Sequence, residues 1–342
     1  MNPVRFGLIG YGAWGSHHAR VISESPRSTL VAISARSPET QSKARHEHKD
    51  AKVYGDYRQM LAVEQLDAVS IVLPSNLHFD AASAALESGR HTLLEKPMAL
   101  SIKDCDALND LARRKGKLLA VGHELRQSSL WGKVKEMIDA GAIGEPQYAL
   151  IELWRKPYRL GADGWRYDIS RVGNWILEEP IHFFDLARWY FSKAGDPVSV
   201  FAQANGRRPD RPELQDNFSA FLRFPTGAYA VISQTLAAWE HHQVAKVTGR
   251  EGALWASWSG AMDRTFEPTF WIKHQRGDAA PVEVPVARMS GEVYELRDQL
   301  DHFVRAVAEG TPLAATGNDG KWSVAMCLKA QESVDSGREV RF

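Results

Sequence analysis

Val4-Arg5-Phe6-Gly7-Leu8-Ile9-Gly10-Tyr11-Gly12-Ala13-Trp14-Gly15 opens the chain, and its reading decides the rest. Phe6, Leu8 and Ile9 form a short apolar run suited to a buried parallel strand. Gly10, Gly12 and Gly15 then lead into a helical pattern over 17–24. In a strand–turn–helix each glycine has its own task. Gly10 makes the tight turn, Gly12 lets the backbone approach a pyrophosphate, and Gly15 lets helix and strand pack closely. The pyrophosphate is expected on the helix N-terminus, where N–H groups and the helix dipole favour an anion.

Outward from this stretch, strand and helix patterns alternate through residue 122. Leu30–Ile33, Ala68–Leu73, His91–Leu94 and Leu118–Val121 read as further strands. Helical patterns cover 58–64, 79–88 and 102–115 between them. Such alternation predicts a doubly wound parallel sheet of the Rossmann type, the α/β architecture with helices on both faces. Ligands in these sheets bind beyond the carboxyl ends of the strands. That directs attention to the loops after Ile9, Ile33, Leu73 and Leu94.

The loop after the second strand bears on the cofactor. An acid that accepts from the ribose hydroxyl of NAD is expected about 20 residues beyond the glycines. Ala35 stands there, within Ser34-Ala35-Arg36-Ser37, and 30–38 contains no Asp or Glu. A small residue followed by Arg36 and Ser37 suits a 2′-phosphate, which a planar guanidinium binds well. NADP is therefore favoured, with NAD possible.

Composition removes several classes of function. Lys+Arg and Asp+Glu both number 42 among 342 residues, so no basic field exists for nucleic acid or anionic lipid. No apolar run approaches the length that spans a bilayer. The opening residues read as strand and phosphate loop rather than as a cleavable leader. Cys105 and Cys327 form no Cys-x-x-Cys motif and read as buried thiols of a reducing compartment, so a cytoplasmic location is expected. His46-Glu47-His48 is no metal site, because helix neighbours two apart diverge, and no other cluster has zinc spacing.

Two further loops complete a pattern. Pro74-Ser75-Asn76-Leu77-His78 follows the third strand and Glu95-Lys96-Pro97 the fourth. Further on come Gly122-His123-Glu124-Leu125-Arg126 and Ala142-Ile143-Gly144-Glu145-Pro146. With Gly10 to Gly15, these resemble the glucose–fructose oxidoreductase / inositol dehydrogenase (Gfo/Idh/MocA) family. The resemblance implies a Rossmann domain paired with an α+β domain that oxidises or reduces sugars, polyols and related compounds. It implies cofactor contacts from Gly10, Gly12, Ala13, Trp14, Gly15, Ala35, Arg36, Ser37, Leu73, Pro74, Asn76, His78, Glu95 and Lys96. It also implies that Lys96 lies beside the nicotinamide and the reacting carbon. Independently, a lysine on the carboxyl edge of an apolar strand could stabilise negative charge developing on a substrate oxygen.

From residue 123 to 342 the organisation changes. Residues 148–155, 198–204, 217–224, 229–235, 244–249 and 270–274 read as strands without regular helices between them. They predict one large, mainly antiparallel sheet. The resemblance implies that its open face pairs with another subunit, and uncovered apolar rows suggest the same physically, giving a homodimer or homotetramer. A helix over 293–309 carries Val293, Leu296, Leu300, Phe303, Val304 and Val307 on one face, stopped by Gly310 and Pro312.

Gly173-Asn174-Trp175-Ile176-Leu177-Glu178-Glu179-Pro180-Ile181-His182-Phe183-Phe184-Asp185 is similar to the family's Gly-Gly-Gly-x-x-x-Asp-x-Gly-x-His-x-x-Asp. By that match His182 is the catalytic histidine and Asp185 the downstream acid. Glu178 replaces the Asp and Pro180 the later glycine, which sets this chain apart from the commonest inositol dehydrogenase pattern. Pro180 suits the first turn of a helix, placing His182 near its start. A carboxylate four residues earlier can orient the ring and favour its charged form. Upstream, Arg155, Tyr158, Trp165 and Arg166 interleave charge with aromatic surface and suit a sugar ring bearing a carboxylate, phosphate or sulfonate. With Arg126 and Glu179 they complete the expected substrate contacts, alongside Lys96, Glu178 and His182.

The expected activity is hydride transfer between a nicotinamide and a hydroxyl or carbonyl carbon of a sugar, sugar derivative or polyol. Lys96, His182 and Glu178 are the expected catalytic residues. One alternative is a glycoside hydrolase that oxidises its substrate transiently on a retained cofactor. A second, a cofactor-sensing regulator, should lack the chemistry of Lys96 and His182, yet both are present.

Overall fold

Tight register at one sheet edge organises the first part of the chain in the computed structural model, which describes residues 2–342. Its elements are β1 (Val4–Ile9), α1 (Ala13–Glu24), β2 (Ser28–Ser34), α2 (Pro38–Glu47), β3 (Lys52–Tyr54), α3 (Tyr57–Val63), β4 (Ala68–Ile71), α4 (His78–Glu87), β5 (His91–Leu94), α5 (Ile102–Lys115) and β6 (Leu119–Val121). The six strands are all parallel, in the order β3-β2-β1-β4-β5-β6. That order reverses between β1 and β4, the crevice where such sheets take a dinucleotide. Ile9 pairs with both Ser34 and Ile71, and Ile71 with Leu94. The loops beginning at Gly10, Ala35, Val72 and Glu95 therefore leave the sheet at one edge.

Helix α5 shows how local sequence sets these elements. Ser101 accepts from the N–H of Asp104 at 3.0 Å as N-cap, and Gly116 ends the helix at φ 62°. Cys105, Leu108, Leu111 and Ala112 bury one face.

The second part comprises α6 (Trp131–Asp139), β7 (Pro146–Arg155), α7 (Ile169–Val172), α8 (Pro180–Tyr190), β8 (Ser199–Asn205), β9 (Asn217–Arg223), β10 (Tyr229–Thr235), β11 (His241–Gly249), β12 (Gly252–Gly260), β13 (Thr269–Arg276) and β14 (Val282–Val284). Then come α9 (Glu292–Glu309), α10 (Gly317–Ser336) and β15 (Val340–Arg341). Nine strands form one sheet ordered β14-β13-β12-β11-β7-β10-β9-β8-β15. Among the described residues of this sheet, β7 and β10 pair in parallel and the other neighbours antiparallel. Alternation puts Ala149, Ile151 and Leu153 of β7 on a buried face. On that face Phe184 of α8 meets Phe218 of β9, ring centroids 6.1 Å apart.

The contacts divide the chain into two compact units, one running to residue 123 with Leu296–Lys321, the other Glu124–Glu295 with Trp322–Phe342. The sequence-based boundary after 122 left the C-terminal helices wholly with the second part. Instead, Leu296, Leu300, Phe303 and Val304 join the core of the first, where Phe303 meets Phe6 edge-on with centroids 6.1 Å apart. The apolar stripe of α9 is thus covered by the parallel sheet. Cys105 and Cys327 are buried and not joined by a disulfide, Cys327 Sγ donating to the Ile176 carbonyl at 3.4 Å, and burial pushes the Cys105 thiol up to about 12.

Candidate active site

In the first unit the glycine turn has the shape its spacing predicts. Gly10 adopts φ +99°, and a Cβ there would stand 2.0 Å from the carbonyl oxygen of Val72. At Gly15 a Cβ would stand 2.1 Å from the carbonyl oxygen of Gly10. A Cβ on Gly12 would meet no atom within 4 Å among the described residues. The turn is therefore closed on the protein side at Gly10 and Gly15 and open at Gly12. Gly12 is also the N-cap of α1, so the first N–H groups of the helix have no capping side chain among the described residues. Open space beside uncapped N–H groups is what a pyrophosphate requires. The residues present fit a dinucleotide.

The neighbouring loops are tied to this turn. Trp14 Nε1 donates to Glu95 Oε1 at 3.1 Å, and His18 Nε2 stands 3.0 Å from the same oxygen. The far side of the His18 ring meets Ser70 Oγ at 2.9 Å. Burial alone would raise the Glu95 carboxyl, but the His18 hydrogen bond and charge, Lys96 and Trp14 together hold it below its usual range. Glu95 thus fastens α1 to the turn that carries Lys96, whose peptide bond to Pro97 is cis. The His78 ring lies between two backbone carbonyls, Nδ1 2.6 Å from Pro97 O and Nε2 2.8 Å from Leu73 O. It therefore braces the loops after β4 and β5 against each other. Pro74 precedes a short 3-10 turn, Ser75–Leu77, that exposes Asn76.

At the second strand's end Ala35 is buried and Arg36 exposed. Ser37 is the N-cap of α2, its oxygen accepting from Thr40 N at 3.2 Å. Gln41 Nε2 donates to the carbonyl of Ala35 at 3.0 Å and steadies the loop.

In the second unit the expected substrate residues gather around the start of α8. Its first residue is Pro180, whose missing N–H costs nothing there, and His182 follows in the first turn with little exposure. Glu178 Oε1 accepts from Arg166 Nε. Arg155 bridges two acids, donating from Nη1 to Glu179 at 2.9 Å and from Nη2 to Asp263 at 3.2 Å. Tyr158 donates to Gln234 Oε1 at 3.1 Å. Burial, with the charges of Glu179 and Glu178, raises its phenol well above the usual value against the pull of Arg155 and Arg166. Trp165 lies under its own neighbour, the Arg166 guanidinium carbon 4.8 Å from the ring centroid. Arg126 is locked into Asp185 through two hydrogen bonds of 2.7 Å.

Three acids here had no sequence-based role. Glu124 Oε1 stands 3.6 Å from His182 Nε2, both side chains buried. Asp263 holds Arg155, and the Glu292 carboxyl is raised well above its usual value by burial and by the nearby charges of Asp263 and Glu179. A signal for Glu124 did exist. The loop after the next strand end, Val121, leads directly to it. Asp263 and Glu292 lie in no local pattern. Among the described residues no three His, Cys, Asp or Glu side chains are grouped to hold a metal, and no helix is long and apolar enough to cross a membrane.

One unit with a parallel sheet and this turn at its switch point, and another with a large mixed sheet, a buried histidine and paired acids, define a class: two-domain oxidoreductases that bind a nicotinamide dinucleotide. The chain belongs to the GFO/IDH/MocA family. Residues 4–123 match its "oxidoreductase family, NAD-binding Rossmann fold" and residues 131–255 its C-terminal domain. It is 26% identical to a myo-inositol 2-dehydrogenase of Thermotoga maritima, over 99% of this chain and 98% of that one. It is 24% identical to a D-xylose 1-dehydrogenase [NADP(+)] of Haloarcula marismortui, covering 100% and 94%. In fold it superposes on an aldose-aldose oxidoreductase of Caulobacter crescentus with a TM-score of 0.85 at 20% identity, covering all of both chains.

Proposed function

We propose that this oxidoreductase is an NAD(P)-dependent dehydrogenase or reductase whose substrate is a neutral sugar or polyol. Bound at the glycine turn, the dinucleotide supplies a hydride acceptor or donor at its nicotinamide. His182 takes the proton of the substrate hydroxyl as the carbinol carbon is oxidised, and returns it in the reverse direction. The Lys96 ammonium stabilises negative charge on that oxygen during the transfer. Glu178 and Glu179, each held by an arginine, accept from neighbouring substrate hydroxyls.

The observation that carries this reading is the buried His182 amid paired carboxylates, in a chain whose other unit has the open glycine turn. Neutrality of the substrate follows from the same pairs. An acidic sugar reaching Arg155 or Arg166 would have to displace Glu179, Asp263 or Glu178 from them. Relatives named for inositol and xylose dehydrogenation support the substrate class. NADP is the preferred cofactor on the evidence of the acid-free loop around Arg36, and the open sheet face joins two or four copies.

The test gives the purified protein NAD and NADP separately with neutral sugars, acidic sugars, polyols and glycosides, and follows reduced nicotinamide. Turnover of a neutral polyol or sugar is expected, with His182→Ala and Lys96→Met each losing roughly 10²–10⁴ in rate while cofactor binding survives. Release of an aglycone without net cofactor reduction would establish transient-oxidation hydrolysis instead.

A further inference from the structure

We infer, on the dinucleotide reading of the glycine turn, that Ser70 and His18 form a buried relay that aims the Glu95 carboxylate at the nicotinamide half of the cofactor. Ser70 is the anchor. It lies in β4, paired with Leu8 on one side and Leu93 on the other, and is fully buried. Its hydroxyl meets His18 Nδ1 at 2.9 Å, and the other ring nitrogen, Nε2, meets Glu95 Oε1 at 3.0 Å. A carboxylate can only accept, and the Glu95 carboxyl is held below its usual range, so Nε2 is the donor in that contact. Trp14 lies four residues before His18 on the same face of α1 and donates to the same oxygen at 3.1 Å. The carboxylate also rests against Gly122, where a Cβ would stand 3.0 Å from Oε1 and 3.1 Å from Oε2. Helix α1, β4 and the end of β6 together fix one carboxylate at the edge where β5 ends.

Fastening a helix to a turn does not need a carboxylate, whose burial costs more than that of a neutral acceptor. A ligand-binding role accounts for it. Both protein donors converge on Oε1, so Oε2 keeps its capacity to accept, and 8% of the side chain stays exposed. Sheet order says which half of the ligand arrives there. The adenosine ribose is met at the end of β2, where Ala35 and Arg36 stand, and the pyrophosphate at Gly12. In the order β3-β2-β1-β4-β5-β6, Glu95 lies on the opposite side of the glycine turn from Ala35. A dinucleotide running from β2 across β1 therefore brings its nicotinamide riboside to Glu95. That half carries two kinds of donor, the carboxamide NH2 and the ribose hydroxyls. An acceptor fixed beforehand takes such a bond without the entropic cost of ordering a free side chain. Ser70 and His18 touch no ligand in this arrangement. They are positioning residues that act only through Glu95.

Calorimetric titration of the full-length protein with NAD, ADP-ribose and ADP, and with their 2′-phosphorylated counterparts, tests this without turnover. The side chain of Glu95→Gln has a single acceptor oxygen. With that oxygen taken by Trp14 and His18, its NH2 group faces the ligand's donors. Glu95→Gln and His18→Phe are each expected to weaken the full dinucleotide about tenfold or more while ADP binds as before. His18→Gln, whose amide can still donate to Glu95, should recover most of the affinity. Ser70→Ala, the variant least disruptive to folding, should show a smaller loss confined to the same ligands. ADP-ribose identifies the donor: it follows NAD if a ribose hydroxyl meets Glu95, and follows ADP if the carboxamide does. Equal losses for ADP and the full dinucleotide would show that the relay only fastens α1 to its turn, and would overturn the inference. Unchanged dinucleotide affinity in Glu95→Gln would overturn it too. A wild type that binds neither dinucleotide nor ADP would overturn the dinucleotide reading itself, and the inference with it.

Discussion

Arg126 and Asp185, 59 residues apart in sequence, meet in a doubly hydrogen-bonded pair with both side chains almost wholly buried. The sequence pattern alone placed Arg126 among substrate contacts; in the structure its Nε and Nη2 are committed to α8. Removing one partner of such a pair leaves a buried charge behind, at a cost of about 3–5 kcal/mol. Arg126→Ala should therefore lower the urea midpoint strongly. Arg126→Met with Asp185→Leu should recover much of the loss, because the cost lies in the stranded charge. Unfolding curves of the three variants check this.

The glycine turn separates stability from binding. Gly10→Ala meets a left-handed backbone and the Val72 carbonyl, so it should destabilise the fold. Gly12→Ala meets open space and should leave the melting temperature nearly unchanged. Its methyl occupies the pyrophosphate's approach, so the dinucleotide Kd should rise about tenfold or more. Thermal unfolding beside fluorescence titration distinguishes the two. Equal binding by wild type and Gly12→Ala would remove the pyrophosphate from this turn.

Arg36 tests the cofactor preference. It stands exposed in a loop without acids, between buried Ala35 and the helix cap Ser37. Losing one charge-assisted contact to a 2′-phosphate costs roughly 1.5–3 kcal/mol. Arg36→Ala should weaken NADP by that amount and barely affect NAD. Equal losses for both cofactors in paired titrations would end the assignment.

What could be read from sequence follows the range of the interactions involved. Helix α5 was legible to the residue because its apolar spacing lies within it and Ser101 and Gly116 flank it directly. Strand β3 has only three residues, and α2 buries only Ala44, so neither leaves a strong periodic signal. The glycine turn was readable because its roles depend on near neighbours. Partners across long separations were not: Glu124 is 58 residues from His182, and Asp263 is 108 from Arg155. The apolar stripe of α9 was visible, but periodicity cannot say which sheet covers it, and Phe6 was the answer.

His241 predicts a pH dependence of stability. Burial, then the charges of Arg155 and His242, lower its imidazole to about 3, with Asp263 opposing. Gln243 Nε2 stands 2.9 Å from the ring's Nε2, as expected for a neutral ring accepting from the amide. In the unfolded chain the ring titrates at about 6.5. Between about 6.5 and about 3 the unfolded state therefore holds a proton that the folded state refuses. The contribution is fully present above that window and is lost as pH falls through it, by up to about 1.4 kcal/mol per unit. His241→Gln should flatten this slope in urea unfolding measured across the range. An unchanged slope would mean that the ring protonates without penalty.

The second sheet's open face gives the last prediction. One row of paired residues crosses seven strands: Phe201, Phe221, Val231, Leu150, Lys246, Trp255 and Lys273. Phe221 is 46% exposed and Trp255 44%, although neighbours on the buried face such as Ala220 and Ala256 are fully covered. Apolar rows of this size are uncommon on the free surface of a monomer and mark contact sites. The flanking Lys246 and Lys273 ammonium groups lie over Trp255 and Trp271, at 4.7 Å and 5.0 Å from the ring centroids. A self-complementary sheet face suits a twofold axis, on which each copy offers the same row to the other. Sedimentation velocity at micromolar concentration should therefore show a dimer or tetramer. Phe221→Glu with Trp255→Glu should yield folded monomers, because charges facing each other across the axis repel and are desolvated. A monomeric wild type, or a double variant that stays assembled, would place the interface elsewhere.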